Sequence, residues 1–284
     1  MYEVILENAQ GNKLTFAQNS PFTITDIQGL NPPEADINTS SMSLIDGAKF
    51  NSAKLQMRTI NIAFAIEYQA AKNRVEIYKV LRSKQAIKFI YHGQYRNVQI
   101  DGYIQSINID YFEMKQIVTC TILCPEPYFK EAQMVVNELL NIISTFHFPF
   151  SSTEEPEIVF GYFGNDVGIT IDNDGDVECG LIITLNARNT VTNPKIFNYA
   201  TGEKFGITYS LQAADLVTID TRQGHKTATL QRGGSTINLF NYIDQDSVWL
   251  QLSADGDTFV YTVDTGTTAD LAVTFNHYNL YEGV

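Results

Sequence analysis

Between residues 60 and 68 every second side chain is large and apolar: Ile60, Ile62, Phe64, Ile66 and Tyr68. Successive side chains of a strand point to opposite faces, so an unbroken period of two predicts a strand with one face buried. Such a strand cannot cover that face or satisfy its own backbone, and so it requires a sheet around it. The rest of the first half reads the same way. Glu3–Leu6 and Leu14–Phe16 flank the turn residues NAQGN, a predicted hairpin, and Phe22–Ile27 predicts a third strand. Residues 29–52 have no clear periodicity and contain GLNPP and DG, so they read as a long connection. Ala70–Lys84 is the best helix candidate, with Ile77, Val80 and Leu81 at i, i+3 and i+4. Further strands are predicted at Ile87–Tyr91, Val98–Ile100, Ile104–Ile109 and Gln116–Cys124, with Asp101–Gly102 as punctuation between the middle two.

The texture changes around residues 125–160. CPEPYFKE and HFPFSSTEEPE bracket a short apolar segment, Val135–Ile143. This places a domain boundary near residue 130 and predicts two domains, 1–130 and 131–284. The second half offers many short strands separated by NDGD, RGG and ADGD and no good amphipathic helix, the pattern of a β-sandwich. Fifteen Tyr and seventeen Phe among 284 residues agree with a mainly β chain. Charge divides as the texture does. Residues 1–150 carry 14 acids and 13 bases, whereas residues 151–284 carry 18 acids and 6 bases, so nearly all of the net −13 lies in the second half.

Several function classes lose support at this point. Tight nucleic-acid binding needs clustered Lys and Arg to displace counterions, and anionic membrane surfaces need the same. The longest apolar runs, such as Ile62–Ile66, fall far below the roughly 18 residues of a spanning helix. MYEVILENAQG lacks the basic and long apolar regions of a signal peptide, so synthesis and assembly in a cytosol are expected. Cys120 and Cys124 lie about 13 Å apart if they share a strand, too far for a disulfide, and buried reduced thiols are expected.

No nucleophile elbow, metalloprotease helix, phosphate loop or dinucleotide fingerprint is present. His92, His147, His225 and His277 are scattered, and no catalytic, cofactor or metal residue is assigned. The densest acidic run, DNDGDVE (Asp172–Glu178), offers alternating carboxylates to Ca²⁺, but its Gly175 stands fourth where an EF-hand needs glycine sixth. Asp-Gly between Ile-rich stretches is also a tight-turn signal, and a hairpin turn is the preferred reading. Trp249 could stack a sugar, yet in SVWLQL a core or sheet position serves equally well.

Taken in order, the motifs resemble the siphophage tail-component family, the distal tail (Dit) proteins. In the first half the resemblance rests on LIDGAKFNSAKLQMRTINIAFAI (Leu44–Ile66), with its DG and Arg58. It continues in RVEIYKVLRSKQAIKFIYHGQYRNVQIDGYIQSINID (Arg74–Asp110) and CPEPYF (Cys124–Phe129). In the second half it rests on FHFPF (Phe146–Phe150), IDNDGDVECGLIITL (Ile171–Leu185), TNPKIFNYATGEKF (Thr192–Phe205) and LVTIDTRQGHKTATL (Leu216–Leu230). INLFNYIDQDSVWLQLSADGDTFVY (Ile237–Tyr261) and the final YEGV complete it. Each motif is turn and strand residues; their collinearity carries the resemblance. At ADGDTF (Ala254–Phe259) the family tends towards a Gly-Asn pair, and the turn role survives the change.

The resemblance implies an N-terminal β-sandwich-like ring domain with one helix and a hairpin arm. A C-terminal galectin-like, carbohydrate-binding-module-like β-sandwich follows. It implies a homo-hexameric ring at the distal end of the virion's tail. That ring joins the tail tube protein to a tail-associated fibre or lysin protein, can anchor receptor-binding proteins, and lets DNA pass. The style of the motifs points to phages of Gram-positive hosts. It implies no enzyme activity and no cofactor. The competing readings are a carbohydrate- or receptor-binding module of the tail tip, and a cell-wall hydrolase. The first needs an exposed aromatic platform and the second a poised acid–base pair or metal set. A ring gives residues 29–52 a use. A long aperiodic segment stays ordered only by gaining contacts elsewhere, and Leu30, Ile37, Met42, Leu44 and Ile45 are its candidate interface anchors.

Overall fold

A computed structural model of the chain describes residues 2–41, 43, 46–113, 115–139, 142–144, 161–163 and 168–284. It is mainly β, and α1 (Ala70–Val80) is the one α-helix among the described residues. Two compact units divide after Gln133, three residues past the sequence-based boundary, and Leu280–Val284 returns to the first of them.

In the first unit the strands are β1 (Glu3–Asn8), β2 (Lys13–Phe16), β3 (Phe22–Gln28), β4 (Ala35–Ser41), β5 (Ala48–Leu55), β6 (Arg58–Ile66), β7 (Ala86–His92), β8 (Asn97–Ile109), β9 (Ile117–Cys124) and β10 (Phe129–Glu131). Seven of them form one antiparallel sheet in the order β2-β1-β7-β8-β9-β6-β3. The alternation seen in the sequence is the sheet's inner face. Ile60, Ile62, Phe64 and Ile66 are buried, whereas Tyr68, past the end of β6, is 54% exposed. The edge strands carry Phe16 and Phe22, or border it, and both rings pack on Phe64, at 4.8 and 5.8 Å between centroids. The sheet therefore curls until its edges approach each other. Helix α1 lies against β1 and β2 and adds Ile77 and Val80 to the core.

The helix is four residues shorter than its apolar spacing predicts. Leu81 leaves it in an extended conformation while remaining buried, and Lys84 takes a φ of 68°. The exit is pinned to β8, since Lys84 N donates to Ile104 O at 2.9 Å and Ile104 N to Gln85 O at 3.1 Å. Asp101–Gly102 is not punctuation either. β8 runs straight through it, because a Cβ on Gly102 would stand 2.7 Å from Ile122 Cγ2, 2.9 Å from Cys124 Sγ and 3.0 Å from Leu123 O. The glycine is there for close approach of neighbouring groups in the sheet.

The second unit is a two-sheet sandwich. One sheet runs, in spatial order, through Val135–Leu139, Leu271–His277, Cys179–Ala187, Leu216–Asp220, Thr227–Arg232 and Ser235–Asn238. The other runs through Gly168–Ile171, Asp257–Thr262, Lys195–Asn198 and Lys204–Gly206. Leu181, Ile183 and Leu185 face inward by strict alternation, and so do Val217 and Ile219. The sheets meet where Phe259 stacks on Phe275 at 5.2 Å.

Candidate functional site

The segment 29–52 is not an irregular connection. β4 and β5 pair antiparallel from Ala35↔Leu55 to Ser41↔Ala48, with a bulge between Asn38 and Thr39. Sequence reasoning missed these strands for a physical reason. Every residue of β4 is exposed, as is all of β5 up to its last residue, so no face imposes a period of two. A two-stranded ribbon with no buried face is marginal in water on its own. This one displays Ile37, 65% exposed, and Phe50, 61% exposed. Phe50 was not among the expected anchors; an aromatic between Lys49 and Asn51 in a polar stretch is the signal that could have found it. Of the expected anchors, Ile37 lies on the ribbon, and Leu30 packs against the first unit's own core at its root. Met42, Leu44 and Ile45 lie outside the described residues.

The root of this arm is rigid, and Arg58 makes it so. The side chain is 2% exposed and donates to four main-chain carbonyls. Nε donates to Pro127 O at 2.7 Å, Nη1 to Gly29 O at 2.5 Å and Asn31 O at 2.7 Å, and Nη2 to Glu282 O at 2.6 Å. Its Cζ lies 4.3 Å from the centroid of the Phe129 ring. Burial lowers the guanidinium's pKa from its ordinary value, with Cys124 and Glu282 acting in the opposite direction. A guanidinium remains charged in proteins, so the cation is held by carbonyl dipoles and the ring face. Gln56 N adds a bond to Glu34 O at 3.0 Å across the two ends of the arm.

The other candidates resolve as structure. In the NDGD loop, Asn173 is buried; its amide donates to Val177 O and Ser253 O, each at 3.0 Å, and its Oδ1 accepts from Gly175 N at 2.9 Å. The amide thus holds the loop from inside, but the loop is not the expected hairpin turn: Gly168–Ile171 and Cys179–Ala187, on either side of it, belong to different sheets, so it carries the chain from one sheet to the other. Among the described residues no group of three or more His, Cys, Asp or Glu is placed to hold a metal ion. Melting curves with excess Ca²⁺ and with chelator are expected to coincide; a rise of several degrees with Ca²⁺, abolished in Asp174→Ala, would reverse the metal-free reading.

Trp249 is half-buried between Phe205 and Phe240, at 5.0 and 6.1 Å, with Lys226 Nζ 5.8 Å from its ring. Cys120, Cys124 and Cys179 are buried free thiols, each pushed up to about 12 by that burial, which leaves them unreactive. Among the described residues no helix is long and apolar enough to cross a membrane. FHFPF (Phe146–Phe150) lies outside the described residues.

The described residues thus form a curled sheet with an exposed two-stranded arm in the first unit and a two-sheet sandwich in the second. Residues 9–124 match the family described as phage tail protein RIFT-related domain, and residues 174–278 match the siphovirus-type tail component, C-terminal domain. The two matches follow one another along most of the chain, and the chain belongs to this siphovirus distal tail component (Dit) family. Among curated proteins none matches its sequence. Its fold is similar to the crystal structure of phage SPP1 Dit, described as a paradigm of the hub adsorption apparatus in phages infecting Gram-positive hosts. The TM-score is 0.68 at 10% identity, covering 98% of each chain. It is also similar to a chain of the phage P2 baseplate in its activated conformation with Ca, with a TM-score of 0.52 at 11% identity over the whole of both chains. The corresponding strontium form gives 0.52 at 13% identity, again over both chains in full. The protein is therefore a structural component of the phage tail or baseplate.

Proposed function

We propose that six copies of this chain close into a ring at the distal end of the tail, which joins the tail tube protein to the tail-associated fibre or lysin protein and lets DNA pass. The observation that carries this reading is the β4–β5 arm. It has no buried face, yet it carries Ile37 and Phe50 in the open and springs from a root fixed by the buried Arg58. A rigidly rooted ribbon with apolar anchors gains what it lacks by lying on an adjacent copy. A head-to-tail contact of that kind leaves no open ends only if the rotation closes. Met42, Leu44 and Ile45, which follow β4 in the sequence, belong to the same proposed interface, whereas Leu30 already packs on the core of its own unit and is proposed only as the arm's anchorage. Receptor-binding proteins are further proposed partners, and the tail tip is the proposed location. The domain division proposed is a ring-forming first unit and a second unit that is a separate β-sandwich domain.

Native mass spectrometry at high protein concentration tests it. The expected mass is six times that of the chain, and Ile37→Asp with Phe50→Asp is expected to return it to the monomer with both units folded. A monomer at every concentration, with no ring in class averages of intact tails, would refute it. The acidic residues 151–284 lead to a companion expectation. The free protein should retain no DNA in a gel-shift assay even at low salt, as suits a conduit; sub-micromolar binding that weakens with salt would count against it.

A further inference from the structure

The first unit closes around a segment that reaches it only after the whole of Met134–Asn279. Leu280 and Tyr281 pair antiparallel with Lys130 and Phe129 of β10. Beyond that ladder the recognition is of main-chain atoms. Glu282 O accepts from Arg58 at 2.6 Å, Gly283 O accepts from Arg96 Nη1 at 2.7 Å, and Val284 N donates to Leu30 O at 3.3 Å. One side chain is buried: Tyr281, 8% exposed, joins the core beneath the Arg96 guanidinium, whose Cζ stands 4.4 Å from the ring centroid. One position is sterically tight, since a Cβ on Gly283 would stand 3.2 Å from Leu30 O and 3.4 Å from Pro32 Cδ.

The walls of this groove are built without the segment. β10 also pairs with β8, and Arg58 keeps Gly29, Asn31 and Pro127 as acceptors and Phe129 under its plane when Glu282 is left out of account. A preformed strand edge, two arginines aimed at carbonyls and one pocket for a ring together make the apparatus of strand addition, in which main-chain bonds give affinity and a side-chain pocket gives specificity.

We propose that this groove is a peptide-binding site for an extended Tyr-x-Gly segment, filled here by the chain's own Leu280–Val284, which behaves as a separable ligand. Because it reads main chain, one ring and one glycine, the groove makes the same contacts to the segment of a second copy, against which the chain's own segment is favoured only by its higher effective concentration. The recognised partner is that peptide supplied in trans.

The test uses the chain lacking Leu280–Val284 and a capped synthetic peptide NLYEGV, titrated by calorimetry. Saturable one-to-one binding is expected. Arg58→Lys keeps the charge but loses the planar fork, and is expected to weaken binding by more than about tenfold. A peptide with the Tyr281→Ala change is expected to weaken it at least as much, and one with Gly283→Val to bind more weakly than NLYEGV. No binding, or binding indifferent to Arg58→Lys and to the loss of the ring, would overturn the proposal. Should the shortened chain fail to fold, a protease site placed after Tyr278 in the full chain is cut once the protein has folded. Native mass spectrometry is then expected to find the cut segment retained, and released more readily from Arg58→Lys. Immediate loss from the unaltered groove would overturn the proposal equally.

Discussion

Arg58→Ala is expected to remove about 3–5 kcal/mol from the first unit, the usual cost of taking one partner from a buried charged network. Four carbonyls lose a charged donor at once, and three of them, on Gly29, Asn31 and Pro127, lie in segments that the guanidinium bridges. Two units make a single two-state midpoint meaningless, so each needs its own probe. The sequence supplies one: Trp249 is the only tryptophan and belongs to the second unit. In urea, the Trp249 transition is expected to stay where it is while the far-ultraviolet signal, to which both units contribute, acquires an earlier transition from the first unit. A loss below about 1 kcal/mol would mean that water serves these carbonyls as well as arginine does. Arg58→Lys should recover only part of the loss, since an ammonium cannot span four acceptors with the geometry of the fork.

Gly29→Ala is expected to cost more than about 3 kcal/mol, by adding left-handed strain to overpacking. Gly29 has a φ of 91°, and a Cβ there would stand 2.1 Å from Thr59 O. That oxygen is main chain of β6, where Thr59 stands in register with Leu123 of β9, and it cannot retreat without disturbing that pairing. Gly11 is the control. Its φ is 80° but nothing lies within 4 Å of the would-be Cβ, so Gly11→Ala should cost only about 1–2 kcal/mol. Because Gly29 O is also an acceptor of Arg58, the two losses should not add: Gly29→Ala in the Arg58→Ala background should cost less than it does alone. Strict additivity in denaturant titrations would show that the arm's root and the buried cation are not one network.

These two residues also mark the limit of what the sequence makes legible. Ile60 to Ile66 declared their strand because one face is buried and the other is not. The alternation of Leu181, Ile183 and Leu185 did the same for the sandwich. The arm has no such contrast and reads as a connection, although its strands pair from Ala35↔Leu55 to Ser41↔Ala48 with a single bulge. Gly102 looked like a turn because Asp-Gly ordinarily is one; the crowding that requires it comes from Ile122 and Cys124, on another strand. Arg58 stood out only as part of a motif. Its acceptors are backbone atoms of residues 29, 31, 127 and 282, and a carbonyl has no letter in the sequence. The acidic NDGD loop misleads in the same way as Gly102: Asp-Gly between apolar stretches signals a hairpin, but the strands on either side of it pair in different sheets, and Asn173 is bonded to Ser253 as well as within its own loop.

The bond from Arg58 to Glu282 spans 224 residues of chain, and that separation sets an order in time. A ribosome delivers β1 to β10 first, then everything from Met134 to Asn279, and only then the tyrosine and the carbonyl that complete the first unit. At about 5–20 residues per second the interval is on the order of ten seconds. Throughout it the guanidinium is one acceptor short and the outer edge of β10 is unpaired. A nascent chain therefore carries an arm whose root is not yet fully fastened, on polysomes where identical neighbours are close at hand. The part of the molecule that is made first is the part that is finished last.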